Sequence, residues 1–281
     1  VNTPFSARLF AYKDQVTPSQ IVEIDKVTGN EISVIADINH SNYLADFNFD
    51  SSTNEIICDY SDNNVTYLYK INVDTGQTTS VQSNPTTGRY ENWIMSDNNR
   101  LFAYKDQITP NQIVEIDKIT GNEISVITDV NHGNYLSNFN FDASTNEIIC
   151  DYTDNNDTFL YKINVDSGQT NSINTNTQFV YENWIMSDDN RLFAYKYDGN
   201  NLGITEINKS TGDEISVIAS INLDNYLADF NFDSSTNEIV CDYSDNNSTY
   251  LFKINIDTEQ TTSFQSNPTN GRYENWIMSK E

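Results

Sequence analysis

"YENWIMS" occupies residues 273–279, and only Lys280 and Glu281 follow it. The same seven residues stand at 90–96 and 181–187, where a short polar turn leads each of them into "RLFAYK", starting at Arg100 and Arg191. The remaining copy of "RLFAYK" starts at Arg8, near the opposite end of the chain. Each end of the sequence therefore holds one strand candidate whose neighbour is missing, and the two orphans complement one another.

The long period is firm. Arg8, Arg100 and Arg191 are 92 and 91 residues apart, and Trp93, Trp184 and Trp276 keep the same spacing, so the chain is a tandem triplication. A shorter period is marked by the turns Thr28-Gly29, Thr75-Gly76, Thr120-Gly121, Ser167-Gly168 and Thr211-Gly212, with Thr258-Glu259 in the sixth place. Glycine reaches positive φ without steric cost, so Glu259 predicts an altered or slightly strained turn. Six half-units of about 46 residues result, near the length of a four-stranded blade.

Each half-unit offers four short strand candidates bounded by Asn, Asp, Ser, Thr and Gly. The first kind reads "ENWIMS", "RLFAYK", "QIVEIDK" and "EISVIAD"; the second reads "YLADFNF", "EIICDY", "YLYKIN" and "QTTSV". Alternation in "YLADFNF" predicts Tyr43, Ala45, Phe47 and Phe49 on one face and Leu44, Asp46 and Asn48 on the other. No amphipathic helical pattern appears.

The chain is all-β in character, with 17 Tyr and 14 Phe in 281 residues and no apolar run long enough to span a membrane. An unbroken repeat without a Pro- or Gly-rich linker predicts a single domain over 1–281, with two-blade repeats at about 8–99, 100–190 and 191–281. A β-trefoil fits less well, because its repeats are much shorter.

Blade length, strand count and strand-turn-strand runs such as "LYKINVDTGQ" and "IVEIDKVTGN" resemble the repeats of the six-bladed β-propeller family, in particular its bacterial secreted members. The resemblance covers the whole chain. It implies six blades, about 24 strands and a closing blade shared between the termini, with residues 273–279 as the innermost strand beside Arg8–Asp37. Closure of this kind removes an exposed sheet edge.

Net charge is −26, from 15 Lys plus Arg against 41 Asp plus Glu, which argues against nucleic acid and anionic lipid as partners. "DYSDNN" and "DYTDNND" offer closely spaced oxygens for calcium, but the glycine and terminal glutamate of a helix-loop-helix calcium loop are missing, so no metal ligand is assigned. Cys58, Cys150 and Cys241 hold equivalent places and read as buried apolar fillers without an internal disulfide. They leave the compartment open, with a secreted setting slightly favoured over a cytoplasmic one. The oligomeric state is open, and a monomer suffices for the fold.

No nucleophile elbow, P-loop, zinc-ligand spacing or Cys-x-x-Cys is present, and the Ser-x-Asp-x-Gly-x-Thr-Trp box of propeller sialidases is missing. Near-identical repeats present the same residues several times, whereas a catalytic site gathers different ones, so the expectation is a protein that is not an enzyme. His40 and His132, with Leu223 in the third copy, read as ordinary surface residues.

Loops carry more information. Blade geometry in propellers pairs "NGRYENW" (270–276) with "KDQVTP" (13–18), and "TGRYENW" (87–93) with "KDQITP" (105–110). The candidate ligand residues are therefore Arg89, Tyr90, Glu91, Trp93, Lys105, Asp106 and Gln107, and their counterparts Arg272, Tyr273, Glu274, Trp276, Lys13, Asp14 and Gln15. In the third blade of this kind both loops depart together, as "TQFVYENW" (177–184) and "KYDGNN" (196–201). This joint change marks either one ligand site altered in one copy, or one loop repacked to fit the other. Aromatic faces beside Arg, Asp and Glu suit a sugar, so the expected partners are glycans bound multivalently, as in six-bladed lectins of two-blade units. A propeller that binds proteins instead is the alternative.

Overall fold

The computed structural model describes residues 7–63, 65–83, 85, 87–155, 157–175, 180–197, 202–221, 226–245, 248–266 and 270–279. Among them there is no helix, and the strands form six four-stranded antiparallel sheets. In the first half of the chain these are β1 (Leu9–Asp14), β2 (Ser19–Ile24), β3 (Glu31–Ile38), β4 (Ala45–Asp50), β5 (Glu55–Asp62), β6 (Val65–Asn72), β7 (Thr78–Gln82), β8 (Arg89–Met95), β9 (Leu101–Asp106), β10 (Asn111–Ile116), β11 (Glu123–Val130) and β12 (Ser137–Asp142). The second half adds β13 (Glu147–Asp154), β14 (Asp157–Asn164), β15 (Thr170–Asn174), β16 (Val180–Met186), β17 (Leu192–Tyr197), β18 (Leu202–Ile207), β19 (Glu214–Ile221), β20 (Ala228–Asp233), β21 (Glu238–Asp245), β22 (Ser248–Asn255), β23 (Thr261–Ser266) and β24 (Arg272–Met278). Five sheets take consecutive strands, and the sixth has the order β24-β1-β2-β3. This is a six-bladed β-propeller whose closing blade draws on both ends of the chain.

The closing junction copies an ordinary hairpin with its connection removed. β24 pairs with β1 through Leu9↔Met278, Phe10↔Ile277, Tyr12↔Glu274, Lys13↔Tyr273 and Asp14↔Arg272. Ser279 N donates to Arg8 O at 2.8 Å, and Arg8 N donates to Ser279 Oγ at 2.7 Å. Ser96 makes the same pair of bonds with Arg100 at 2.9 and 2.9 Å, as does Ser187 with Arg191 at 2.9 and 3.0 Å. The hydrogen bonds that terminate a hairpin thus hold here across 271 residues of separation. Each of these arginines also forks onto a glutamate of the third strand in its blade order, Glu23, Glu115 or Glu206, and lies over Phe10, Phe102 or Phe193.

Turn chemistry follows the sequence reading. The five turn glycines have φ between 68° and 78°, and Glu259 adopts φ 59° in the sixth place. The alternation expected for residues 43–49 does not hold: Tyr43 is exposed and Leu44 is fully buried. Asp46 takes φ 51°, and the register slips between Ala45↔Asp59 and Asn48↔Ile57, so a bulge resets which side chains face inward. Asn92, Asn138, Asn183, Asp229 and Asn275 do the same in β8, β12, β16, β20 and β24, at φ from 47° to 55°. Short Asn and Asp side chains tolerate this conformation better than other non-glycine residues.

The described strands fall into two compact units, residues 1–61, 69–80 and 223–281, and residues 62–68 and 81–222. In the first unit β24 packs between β20 and β4, and Asn231 bridges to it, donating to Trp276 O at 2.9 Å and accepting from Met278 N at 3.0 Å. Lys26 crosses to the fully buried Asp233 at 2.6 Å. In the second unit β12 packs between β8 and β16, and Asn140 donates to Trp184 O at 2.9 Å in the same way. Cys58, Cys150 and Cys241 are buried free thiols, as the repeat predicts.

Trp276 is buried with Leu9, Ala11, Val22, Tyr273 and Met278 in one core cluster. Removing residues 272–281 deletes three of these side chains and leaves one edge of β1 without its partner strand. The expected result is a loss well above the roughly 3–5 kcal/mol of a single buried Trp→Ala change, with loss of a sharp thermal transition. Thermal unfolding followed by circular dichroism checks this; a midpoint within about two degrees of the intact chain, as for a frayed terminus, contradicts it.

Candidate functional site

The hairpin ends of β8/β9 and of β24/β1 carry the same cluster. Register places Arg89 opposite Asp106 and Arg272 opposite Asp14. Arg89 pairs with Glu91 and lies 3.7 Å from Asp106; Arg272 pairs with Glu274 and lies 3.7 Å from Asp14. Both arginine side chains are 47% exposed, whereas their carboxylate partners are mostly covered. A tyrosine from the following blade completes each cluster. Tyr135 donates to Glu91 at 2.7 Å and accepts from Asn92 at 2.9 Å; Tyr43 donates to Glu274 at 2.9 Å and accepts from Asn275 at 2.8 Å.

The left-handed conformations of Asn92 and Asn275 aim these amides at the next blade, where they also donate to the Leu136 and Leu44 carbonyls at 3.0 and 2.9 Å. Asp14 Oδ1 and Asp106 Oδ1 are shielded from solvent and accept no hydrogen bond among the described residues. Each cluster therefore combines a half-exposed guanidinium fork and a half-exposed phenol ring above a covered aspartate.

Other residues expected at this site lie beneath it. Tyr90, Tyr273, Lys13, Lys105, Trp93 and Trp276 are all buried. Lys105 and Tyr90 converge on Glu123 at 2.9 and 3.1 Å, and Lys13 and Tyr273 on Glu31 at 2.8 and 3.0 Å. Burial, followed by the neighbouring glutamate charge, pushes the Tyr90 and Tyr273 phenols well above their ordinary range. Each tryptophan meets its tyrosine edge-on at 5.6 Å and faces the core, so neither indole offers a face to a ligand. Gln15 and Gln107 are exposed at φ 56° and 57°, on turns that contain the cis bonds Thr17–Pro18 and Thr109–Pro110.

In the two matching blades the paired loops pack on each other. Gly88 and Gly271 have φ near 82° and 81°, and a Cβ on either would collide with the carbonyl of Asp106 or Asp14 and crowd Ile108 or Val16. A side chain at either glycine would therefore displace the facing loop. In the third blade Val180 pairs with Tyr197 where the others pair arginine with aspartate. Residues 177–179, 198–201 and Leu223 lie outside the described set.

The histidines are not ordinary surface residues. His132 stacks on Tyr152 at 4.1 Å and meets Tyr161 edge-on at 5.0 Å, and His40 does the same with Tyr60 and Tyr69 at 4.2 and 5.1 Å. Burial lowers the His132 pKa. Among the described residues no three His, Cys, Asp or Glu side chains converge to hold a metal. A cavity of about 240 Å³ lies between Asp46, Asp229, Asn231, Asn275 and Trp276.

No protein-family model matches the sequence, and no curated protein matches it. Solved structures share its fold. TolB from Acinetobacter baumannii superposes with a TM-score of 0.70 at 12% identity, covering 98% of this chain, which spans 66% of that protein. A chain of the nidogen/laminin complex gives 0.69 at 10%, covering 98% of both chains. The periplasmic gluconolactonase of Pseudomonas aeruginosa gives 0.58 at 10%, covering 98% of this chain and 99% of that one. These likenesses lend no support to the lectin expectation. They also correct the expectation that the protein is not an enzyme, because a gluconolactonase has the same architecture.

Two outcomes follow from this geometry. Gly271→Ala forces a Cβ into the Asp14 carbonyl at positive φ and should cost at least about 1–3 kcal/mol in urea unfolding, while Gly133→Ala, with open space around it, costs little. Burial, its first cause, pushes Asp151 up to about 7 despite donors from Asn138 and Ser137. The folded pKa lies above the unfolded one, so this contribution is full below about pH 4 and is lost as pH rises through about 7. Asp151→Asn should remove up to about 4 kcal/mol of that decline in pH-dependent unfolding; an unchanged pH profile contradicts the assignment.

Proposed function

We propose that the protein binds a small polyhydroxylated ligand, a sugar or sugar acid, at two matching sites, one at Arg89, Glu91, Asp106 and Tyr135 and the other at Arg272, Glu274, Asp14 and Tyr43. The observation that supports this is repetition: two segments far apart in sequence build the same half-exposed arginine, ordered by the same glutamate and phenol. The guanidinium fork suits a carboxylate or a vicinal diol. The Tyr43 and Tyr135 rings, 51% and 50% exposed, offer apolar faces to ring C–H groups. Holding the carboxylates and phenols in place before binding lowers the ordering cost of association.

A hydrolytic reading uses the same ligand class. The likeness to a gluconolactonase makes a sugar lactone the substrate to try first, with the two clusters as binding determinants.

Titration calorimetry against monosaccharides, sugar acids and aldonolactones, with and without calcium, tests both readings, with lactone opening followed in parallel. The expected result is two sites per chain, one lost in Arg89→Ala, the other in Arg272→Ala, and both in the double variant. No binding to any of these ligands, or binding that survives the double variant, overturns the proposal.

A further inference from the structure

Each repeat places an aspartate directly after its buried cysteine, as Asp59, Asp151 and Asp242. Across the strand pair it faces Ala45, Ser137 or Ala228, and the next residue is the left-handed Asp46, Asn138 or Asp229. The middle repeat shows how such an aspartate is satisfied. Asp151 Oδ1 accepts from Asn138 Nδ2 at 2.9 Å and from Ser137 Oγ at 3.2 Å.

The first and third repeats both lack the serine and the asparagine, and the third is the one whose surroundings are described in full. Ala228 has no hydroxyl, and Asp229 presents a carboxyl group where Asn138 presents an amide. Asp242 is 6% exposed, and its Oδ1 accepts no hydrogen bond among the described residues. Asp229 Oδ2 is engaged by the Asn275 N–H at 2.7 Å. A carboxyl group gains a donor only by taking a proton, and two ionised carboxylates cannot share a dry site without large repulsion.

We propose that Asp229 and Asp242 form an acid–carboxylate pair that holds one proton at neutral pH, so that the β20–β23 blade responds to pH. The shared proton stands where the Asn138 amide hydrogen stands in the middle repeat, and the strand geometry is otherwise the same.

The surroundings agree. From β24, the Asn275 and Trp276 N–H groups point at Asp229, and Arg272 is the cation acting on Asp242, although it is already engaged by Glu274 and Asp14. Tyr43 faces Asp229, Cys241 on β21 lies next to both carboxyls, and Asp46 lines the same cavity as Asp229. Burial raises both aspartates, and the Asp229 charge raises Asp242 further. The proton is bound in the folded state and released on unfolding above the ordinary carboxyl range, so stability falls as pH rises through the pair's pKa.

The test is urea unfolding from about pH 5 to about pH 9 for the intact protein, Asp229→Asn and Asp242→Asn. Asp229→Asn restores the amide donor of the middle repeat, and it should be the more stable protein at the alkaline end. Its unfolding constant should change less with pH by as much as about tenfold per pH unit, the effect of one proton. Infrared spectroscopy should show a protonated-carboxyl band at neutral pH in the intact protein that weakens in Asp229→Asn. Equal pH slopes in all three proteins, or an unchanged band, overturn the proposal. A calcium-dependent rise in Tm that Asp229→Asn abolishes would also overturn it, because a cation would then hold the pair together. Where one variant fails to fold, the other and the infrared band of the intact protein still decide.

Discussion

The antiparallel ladder between β24 and β1 is the contact on which the rest depends. Among the described residues β24, the last strand, is hydrogen-bonded to β1, the first, and to no strand near it in sequence. Pairing buries Tyr273, Trp276 and Met278 against Leu9 and Ala11, and supplies the inner strand between β20 and β4. The same ladder sets Arg272 opposite Asp14, so one of the two candidate ligand clusters exists only because the chain ends meet. Its twin at Arg89 and Asp106 forms from a continuous hairpin, a built-in control for the effect of closure.

A second constraint is the left-handed Asn or Asp in each innermost strand. The bulge turns an amide or carboxyl sideways toward the next blade or the neighbouring strand, and what stands there decides its use. At Asn92 and Asn275 it orders a tyrosine beside an arginine; at Asn138 it donates to the buried Asp151; at Asp229 it meets another carboxyl group. One backbone device, repeated with small substitutions, thus yields both the open clusters and the buried pair. The strongly acidic composition is accommodated alongside it by placing cations against carboxylates within and between blades, as with Lys26 on Asp233 and Lys209 on Asp142.

The fold was legible because its signals are periodic: repeated tryptophans, turn glycines and the unmatched strand at each end survive without tertiary knowledge. Half of the candidate site was legible for the same reason, since Arg89, Glu91 and Asp106 and their counterparts lie at hairpin ends. Lys13 and Lys105 were misleading because "KDQ" looks like loop, yet their ammonium groups turn inward to Glu31 and Glu123 on strands two places away. The bulges were hidden because Asn and Asp crowd every turn of this sequence, and nothing local distinguishes a strand position that needs positive φ. Tyr43 and Tyr135 were visible as a repeated pair, but their link to Glu274 and Glu91 spans separate blades and appears only in three dimensions.

Hydrogen exchange measures the central claim directly, by comparing the amides of residues 9–14 and 272–278 with those of 89–95 and 101–106. Closure predicts that the terminal strands exchange slowly and together, at rates like those of the continuous hairpin. Fast exchange of residues 272–278 beside a protected β8 would mean that the chain ends do not form a blade, and the account would fail.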